Sequence, residues 1–178
     1  SEMCIRDREY GKLRKSCYYW EMVKMVGEKI LLKGRGVVGG VAHAQALVST
    51  RDFMFAHGIN PKSGVIVDRR NDLYGASIVG KVFIFPYGTG STTGAAWILE
   101  AVRNGKHPAA VINIRTEPII AIGFILAELI YNKRIPVVDN LNKNPIEVIK
   151  TGDYVKVDGD KGIVEVFRHC TKYNTSQK

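Results

Sequence analysis

Short apolar runs separated by glycine-rich or polar turns form the hydrophobic pattern of the first half of the chain. Runs rich in β-branched, aromatic or alternating small residues predict strands at 29–33, 42–49, 65–68 and 81–86. In the second of these strands, apolar side chains at every other position share one face, which predicts close packing against another layer: Ala42, Ala44, Ala46 and Val48. The glycines of Gly34-Arg35-Gly36 predict a turn that ends the first strand.

Strand and helix patterns alternate in the second half of the chain. A helix is predicted from Ala95 to Arg103, a buried strand at 109–114, and a second helix that opens near Pro118 and ends near Asn132. That second helix is apolar around almost its whole circumference. A short strand at 135–139, a helical turn at 145–149 and a β-hairpin within 152–166 complete the pattern. This order predicts an α/β domain with a mixed sheet, in which two packed sheets are flanked by helices.

The length of 178 residues predicts one domain with distinct ends. Residues 1–24 are charged and lack a period, so we interpret them as a leader that is non-native or disordered. Residues 25–167 carry the regular pattern and are expected to form the folded domain. Residues 168–178 are expected to be a flexible basic tail.

The composition excludes several classes of protein. Three cysteines, none in a CxxC pair, are typical of free thiols in a reducing cytoplasm. The longest apolar run is far shorter than the roughly 20 residues that a membrane span requires. The net charge is +9, but no basic helix face interleaved with aromatic residues accompanies it, so nucleic acid is not the expected partner. We therefore expect a cytoplasmic protein without a membrane or nucleic-acid partner, whose basic surface meets an acidic subunit or an anionic substrate.

The candidate chemistry lies in the turn between the strand at 81–86 and the first helix. Gly88-Thr89-Gly90-Ser91 is followed by Thr92, Thr93 and Gly94, so a serine and several backbone N–H groups meet at a helix N-terminus. Such a position favours negative charge. An N-cap role for Ser91 explains the same pattern without any catalytic function, and both roles are compatible.

Other chemical groups give weaker signals. Arg69 and Arg70 follow a predicted strand and could steer an anionic substrate, although a solvated polar turn explains them better. No His, Cys, Asp or Glu cluster has metal-ligand spacing, so no metal site is expected in this chain.

Several separated motifs in order resemble the small, swivelling subunit of the aconitase X family, over about residues 28–166. They are Gly34-Arg35-Gly36, Gly39-Gly40-Val41-Ala42, Gly64-Val65-Ile66-Val67-Asp68, Gly75, Gly80-Lys81-Val82, Pro86-Tyr87-Gly88-Thr89-Gly90-Ser91, Pro108-Ala109-Ala110 and Ile135-Pro136-Val137-Val138. The resemblance implies a swivelling β/β/α fold with mixed sheets and flanking helices, similar to the mobile domain of aconitase.

The resemblance also implies a function. The family dehydrates hydroxy acids, including phosphomevalonate in an isoprenoid route and cis-3-hydroxy-L-proline, and its Gly-x-Gly-Ser serine acts as the catalytic base, which falls on Ser91. Gly88, Gly90, Thr92 and Thr93 would then contact the substrate. A large partner subunit would hold an iron–sulfur cluster or iron, so this chain would bind no cofactor and act only in the complex. The surplus of basic residues favours phosphomevalonate. Family members commonly have Arg where this chain has Thr89, and they differ around 53–58.

Two other classes of protein are alternatives. The closing hairpin and the Ile135-Pro136-Val137-Val138 run are also similar to phosphohistidine-type swivelling carrier domains, but that chemistry needs a histidine near the glycine-rich turn. A non-catalytic binding module is suggested by the basic charge alone, and salt-dependent binding to DNA would reveal it.

Overall fold

Strand order explains how the chain builds its layers. The computed structural model describes residues 28–168. The predicted leader at 1–24 and residues 169–178 of the predicted tail lie outside these residues, whereas Arg168, predicted to begin that tail, is the last residue of the final strand. The strands are β1 (Glu28–Lys33), β2 (Arg35–Val38), β3 (Val41–Val48), β4 (Ile59–Asn60), β5 (Val65–Ile66), β6 (Val82–Tyr87), β7 (Ala110–Arg115), β8 (Val137–Asp139), β9 (Tyr154–Asp158) and β10 (Ile163–Arg168). The helices are α1 (Phe55–Gly58), α2 (Thr93–Arg103), α3 (Pro118–Tyr131) and α4 (Pro145–Val148).

Eight strands are hydrogen-bonded in the order β1-β10-β9-β3-β6-β7-β8-β2. Strands β3, β6, β7 and β8 are parallel, and the remaining pairs are antiparallel. Strand β3 belongs to both halves, because Val41–Gln45 pair with β9 and Ala46–Val48 pair with β6. The sheet therefore divides into an antiparallel layer and a mainly parallel layer that share one strand, which confirms the predicted mixed sheet.

Two apolar clusters separate the layers. Along β6 the side chains alternate, so that Val82 and Ile84 pack between the two sheet layers while Phe83 and Phe85 face the helices. The small-residue face predicted for β3 packs into the cluster between the sheets. On the other side, α2 and α3 cover the parallel layer through a core that contains Phe53, Phe55, Phe83, Phe85, Ile98 and Phe124. The order of layers is β/β/α, as the resemblance implied.

Strand β2 is the principal correction to the predicted elements. The residues Gly34-Arg35-Gly36 were expected to form a turn, yet β2 begins at Arg35 and pairs with β8. The reason is a close backbone crossing, because a Cβ at Gly36 would overlap the carbonyl oxygen of Gly159 in the β9–β10 turn. Glycine at position 36 permits β2 to approach the β9–β10 turn and does not end a strand.

The helix α3 packs closely on α2. A Cβ at Gly123 would lie 2.8 Å from Cδ1 of Ile98, so glycine allows the two helices to approach. The helix ends at Tyr131, and the cap residue Asn132 has a left-handed φ of 52° and an N–H that donates to the carbonyl oxygens of Ala127 and Glu128. No helix within residues 28–168 is long and apolar enough to cross a membrane.

Candidate active site

The predicted glycine-rich turn lies at the carboxyl ends of the parallel strands. Because β3, β6 and β7 run in the same direction, the segments after Val48, Tyr87 and Arg115 meet at one edge of the sheet. Ligand sites of open α/β sheets occur at this edge. Two backbone hydrogen bonds join the turn to Phe53. The N–H of Phe53 donates to Tyr87 O at 2.9 Å, and its carbonyl accepts from Thr89 N at 3.0 Å.

Two glycines of the turn are required by their neighbours. A Cβ at Gly88 would overlap Cδ1 of Ile120 in α3 and lie 3.2 Å from its Cγ1. Gly90 has a φ of +108°, which L side chains rarely adopt, and a Cβ there would lie 2.8 Å from Cγ of Met54. Packing and backbone conformation thus account for these glycines. Whether they also contact a substrate stays a prediction.

Ser91 lies exposed just before α2. Its Oγ is 2.9 Å from Oγ1 of Thr93, with either hydroxyl able to donate, and it accepts a long bond of 3.4 Å from Thr93 N. The residue that precedes the first helical position is Thr92, and its side chain makes no capping bond. Among the described residues, none accepts a hydrogen bond from the backbone N–H of Ser91 or Thr92. The exposed serine therefore lies at the positive end of an 11-residue helix, beside two N–H groups without an acceptor among the described residues.

A small cavity of about 120 Å³ adjoins the turn. It is lined by Phe55, Gly88, Thr89, Gly90, Gly94, Glu117, Ile119 and Ile120. Glu117 was not singled out from the sequence, and its Cγ would lie 3.4 Å from a Cβ at Gly88. No histidine lines this cavity, so the described residues do not provide the nucleophile that a phosphohistidine carrier needs here.

A second, more polar cavity of about 310 Å³ lies on the other side of Thr89. Its other lining residues are Arg51, Asp52, Met54, Asp68, Arg70 and Asn71. The guanidinium of Arg70 donates to both carboxylate oxygens of Asp68, at 3.1 and 3.3 Å, and these bonds lower the pKa of Asp68. The charge of Arg70 is thus already paired. Arg69 is exposed and does not line either cavity.

Hydrogen bonds to Asp72 join the loop after β3 to the loop that carries Arg70. Asp72 accepts from Ser49 Oγ at 2.6 Å and from Thr50 N at 2.8 Å. Burial alone would raise the pKa of Asp72, but the bonds from Ser49 and Thr50 hold it below its usual value. This network fixes the backbone that presents Arg51 to the cavity.

A buried carboxylate supports the segment that carries Glu117. Asp139 is fully buried at the end of β8, and Arg35 of β2 donates to its two oxygens at 2.9 and 2.7 Å. The same carboxylate accepts from Thr116 N at 2.8 Å. Burial by itself raises the pKa of Asp139, but the bonds from Arg35 and Thr116 outweigh it and hold that pKa below the usual range.

The structure brings most of the predicted residues together. Gly88, Gly90, Ser91 and Thr92 lie in one turn, and Thr93 is the first residue of the helix α2 that follows it. Arg70 reaches the adjoining cavity, whereas Arg69 does not. Sequence reasoning missed Glu117 and Arg51. Each lies within three residues of the end of a parallel strand, and this position is the signal that could have found them.

No three His, Cys, Asp or Glu side chains between residues 28 and 168 are grouped so that they could hold a metal ion. The described residues therefore do not fit an iron site. The location of such a site in a partner subunit stays a prediction.

Comparison with known proteins identifies the family. A sequence model described as the aconitase X swivel domain matches residues 31–166. The phosphomevalonate dehydratase small subunit of Methanosarcina acetivorans is 42% identical over 139 residues, which cover 78% of this chain and 92% of the relative. That of Methanocella arvoryzae is 44% identical over 135 residues, or 76% of this chain and 98% of the relative.

A solved structure agrees with the sequence matches. The holo-form of Thermococcus kodakaraensis aconitase X superposes with a TM-score of 0.71 at 38% identity, over 78% of this chain and 99% of the solved one. The agreement covers the layered fold as well as the sequence, and it confirms the resemblance seen in the motifs. The chain belongs to the aconitase X swivel-domain family.

Proposed function

We propose that this chain is the small subunit of a heteromeric phosphomevalonate dehydratase and that Ser91 supplies its catalytic base. The observation that carries the proposal is an open serine at a helix N-terminus in a chain about 40% identical to relatives with that subunit name. Those names favour phosphomevalonate over cis-3-hydroxy-L-proline as the substrate. They also favour a large subunit as the partner and a hydro-lyase as the class of enzyme.

The chemistry assigns a definite task to the serine. Dehydration removes a proton from one carbon and hydroxide from its neighbour, while the C–H electron pair becomes the double bond. A serine hydroxyl is a weak base, so Oγ must act as an alkoxide that positive potential stabilises. The unoccupied N–H groups of Ser91 and Thr92 and the dipole of α2 supply part of that potential.

Neighbouring residues would orient the serine and the substrate. Oγ1 of Thr93, at 2.9 Å, can donate to Ser91 Oγ and so favours its deprotonated form. Thr92 would bind a substrate carboxylate. Arg69 would attract the anion as it approaches, and Arg70 would do so by exchanging its ion pair with Asp68 for the anion. The Lewis acid that accepts the hydroxide is expected from an iron centre in the large subunit.

The test combines the full chain with its co-expressed large subunit and follows the loss of phosphomevalonate. Ser91→Ala is expected to lower kcat by at least about 100-fold, the usual contribution of a positioned base. Ser63→Ala is the matched control, because Ser63 Oγ accepts the same kind of bond, 3.4 Å from Val65 N. Complex formation should be unchanged in both variants. Full activity of Ser91→Ala would refute the role of the serine.

The substrate assignment has its own test. The wild-type complex should turn over phosphomevalonate and leave cis-3-hydroxy-L-proline unchanged. Turnover of cis-3-hydroxy-L-proline and not of phosphomevalonate would refute the substrate assignment. It would leave the assignment to the family unchanged. Salt-sensitive DNA binding by a chain that forms no complex would instead support a non-catalytic binding module.

A further inference from the structure

Asn104 and Gly105 are exposed at the carboxyl end of α2, just beyond its last residue, Arg103. They are the one Asn-Gly pair in the 178-residue sequence. In such a pair the glycine nitrogen can attack the side-chain amide carbon of the asparagine, because glycine has no Cβ to obstruct the approach. An added Cβ at Gly105 would meet nothing within 4 Å, so the outer side of the pair is open. The pair therefore carries the groups that spontaneous deamidation needs.

Deamidation exchanges ammonia for water at such a pair. The nitrogen of Gly105 loses its proton and bonds to Cγ of Asn104, the Cγ–Nδ2 bond breaks, and ammonia leaves with the proton. The product is a five-membered imide, and water opens either of its ring C–N bonds to give aspartate or isoaspartate at position 104. Ring closure requires Cβ of Asn104 and the nitrogen of Gly105 to lie on the same side of the Cα–C bond.

The backbone of the helix end holds these two atoms apart. Asn104 has a φ of −82° and a ψ of 0°, so the nitrogen of Gly105 is eclipsed with the nitrogen of Asn104. Cβ lies about 120° from that nitrogen around the Cα–C bond, so ring closure needs a rotation of ψ of about that size. The observed conformation therefore cannot react without opening.

Backbone hydrogen bonds oppose that rotation. Gly105 N donates to Val102 O at 2.9 Å, and Lys106 N donates to Ala101 O at 2.8 Å. These are the two bonds of a Schellman cap, and the left-handed φ of +66° at Gly105 belongs to the same motif. The first bond also holds the proton that Gly105 must lose. Turning ψ of Asn104 would break both bonds.

The side chain of Asn104 is held as well. Its Nδ2 donates to the carbonyl oxygen of Glu100 at 2.8 Å and to Oε1 of Glu100 at 2.9 Å. Arg103 donates to the same Oε1 at 2.8 Å. The bonds from Arg103 and Asn104 lower the pKa of Glu100, so its carboxylate remains an acceptor at neutral pH. These contacts keep Cγ of Asn104 from turning towards Gly105.

We propose that Asn104 is a deamidation site gated by the end of α2. The closed cap blocks attack by the nitrogen of Gly105, and local opening of the last turn permits it. Helix ends open at a lower free energy than the core does, so the gate is local. The product carboxylate cannot donate to Glu100, and it adds negative charge at the negative end of α2. The cap is therefore weaker after the reaction.

The experiment incubates the full chain at mildly alkaline pH and follows deamidation by mass spectrometry of the peptide 82–106, which a lysyl endopeptidase releases. The folded chain is expected to react at least about tenfold more slowly than the same chain unfolded in urea. Equal rates would overturn the proposal. Below the unfolding transition the rate should change little with urea. A rate that rises there as steeply as global unfolding would assign the gate to the whole fold and overturn the local one.

A pair of variants tests the contact with the side chain. Glu100→Ala removes the Oε1 acceptor and should raise the rate in the folded chain at least about twofold. Glu147→Ala is the matched control, because Oε1 of Glu147 accepts from Nδ2 of Asn144 at 2.9 Å, far from α2 in the sequence. It should leave the rate at Asn104 unchanged. Equal rates in the two variants, with both shown to be folded by thermal unfolding, would overturn the role of Glu100.

The consequence for the cap has a separate measurement. Asn104→Asp reproduces one of the two products and should lower the melting temperature of the full chain, because the new carboxylate lies at the negative end of α2. An unchanged melting temperature would overturn this consequence.

Discussion

Gly88→Ala tests whether the active-site turn is fixed by contact with α3. The added methyl group would overlap Cδ1 of Ile120 and lie 3.2 Å from its Cγ1. Ile120 is only 5% exposed, so it has little room to move away. The backbone at Gly88 does not have a positive φ, so the effect of the methyl group is one of packing and not of strain in the main chain.

The magnitude follows from two opposing effects. Overpacking of a buried site typically destabilises by about 1–3 kcal/mol. Reduced freedom of the unfolded chain returns about 0.4–1 kcal/mol when glycine becomes alanine. We expect a net loss of about 1 kcal/mol in the free energy of unfolding. Kcat should fall as well, because the displaced turn carries Ser91.

The assay is a double-mutant cycle by urea unfolding. Ile120→Val deletes Cδ1 and by itself costs about 0.5–1.5 kcal/mol. In that background Gly88→Ala should become neutral, which gives a coupling of about 1 kcal/mol or more. Ile122→Val on the exposed side of α3 is the control and should be additive with Gly88→Ala. Additivity within about 0.5 kcal/mol for Gly88 and Ile120 would refute the reasoning.

Two further predictions concern the support of the site. Asp139 has a lowered folded-state pKa, so its ionised form stabilises the fold above the unfolded value of about 3.9, and that stability is lost as pH falls through the folded-state pKa. Urea midpoints from pH 6 to 3 should therefore fall more steeply for wild type than for Asp139→Asn, and parallel curves would contradict this. Phe53→Ala should cost about 3–5 kcal/mol by urea unfolding, because Phe53 is 1% exposed and its ring centroid lies 4.9 Å from that of Phe83. Phe53→Leu should lower the free energy of unfolding by less than Phe53→Ala does, because leucine fills more of the space. Equal losses for the two variants would contradict the argument that the volume of the Phe53 ring stabilises the core.

The layered fold could be predicted because the hydrophobic pattern of each strand and helix is carried by residues that are close together in the sequence. A strand buried on both faces reads as a continuous apolar run, and β6 is such a strand. Helix α2 begins at Thr93, two residues before the predicted start, since the polar Thr93 and the Gly94 beside it carry no apolar period. Strand β2 could not be predicted, because Gly36 is needed where β2 passes close to the β9–β10 turn, and that turn lies more than a hundred residues later in the chain.

The candidate site was only half predictable for the same reason. Ser91 belongs to a contiguous motif, so the sequence alone displays it beside its helix. Glu117 and Arg51 come from other loops, and only the pairing of β3, β6 and β7 brings those loops to one edge. Arg70 shows the converse, since the sequence offered steering of an anionic substrate as one interpretation, and the carboxylate of Asp68, two residues earlier, pairs with its charge.

The pairing of β1 with β10 has a mechanical consequence. Glu28 lies opposite Arg168 in that ladder, so the first and last described residues are neighbours across one pair of strands. A short linker is therefore enough to bridge these two positions. A circularly permuted variant of residues 28–168, with Glu28 and Arg168 joined by such a linker and new ends opened in an exposed loop, should preserve the fold.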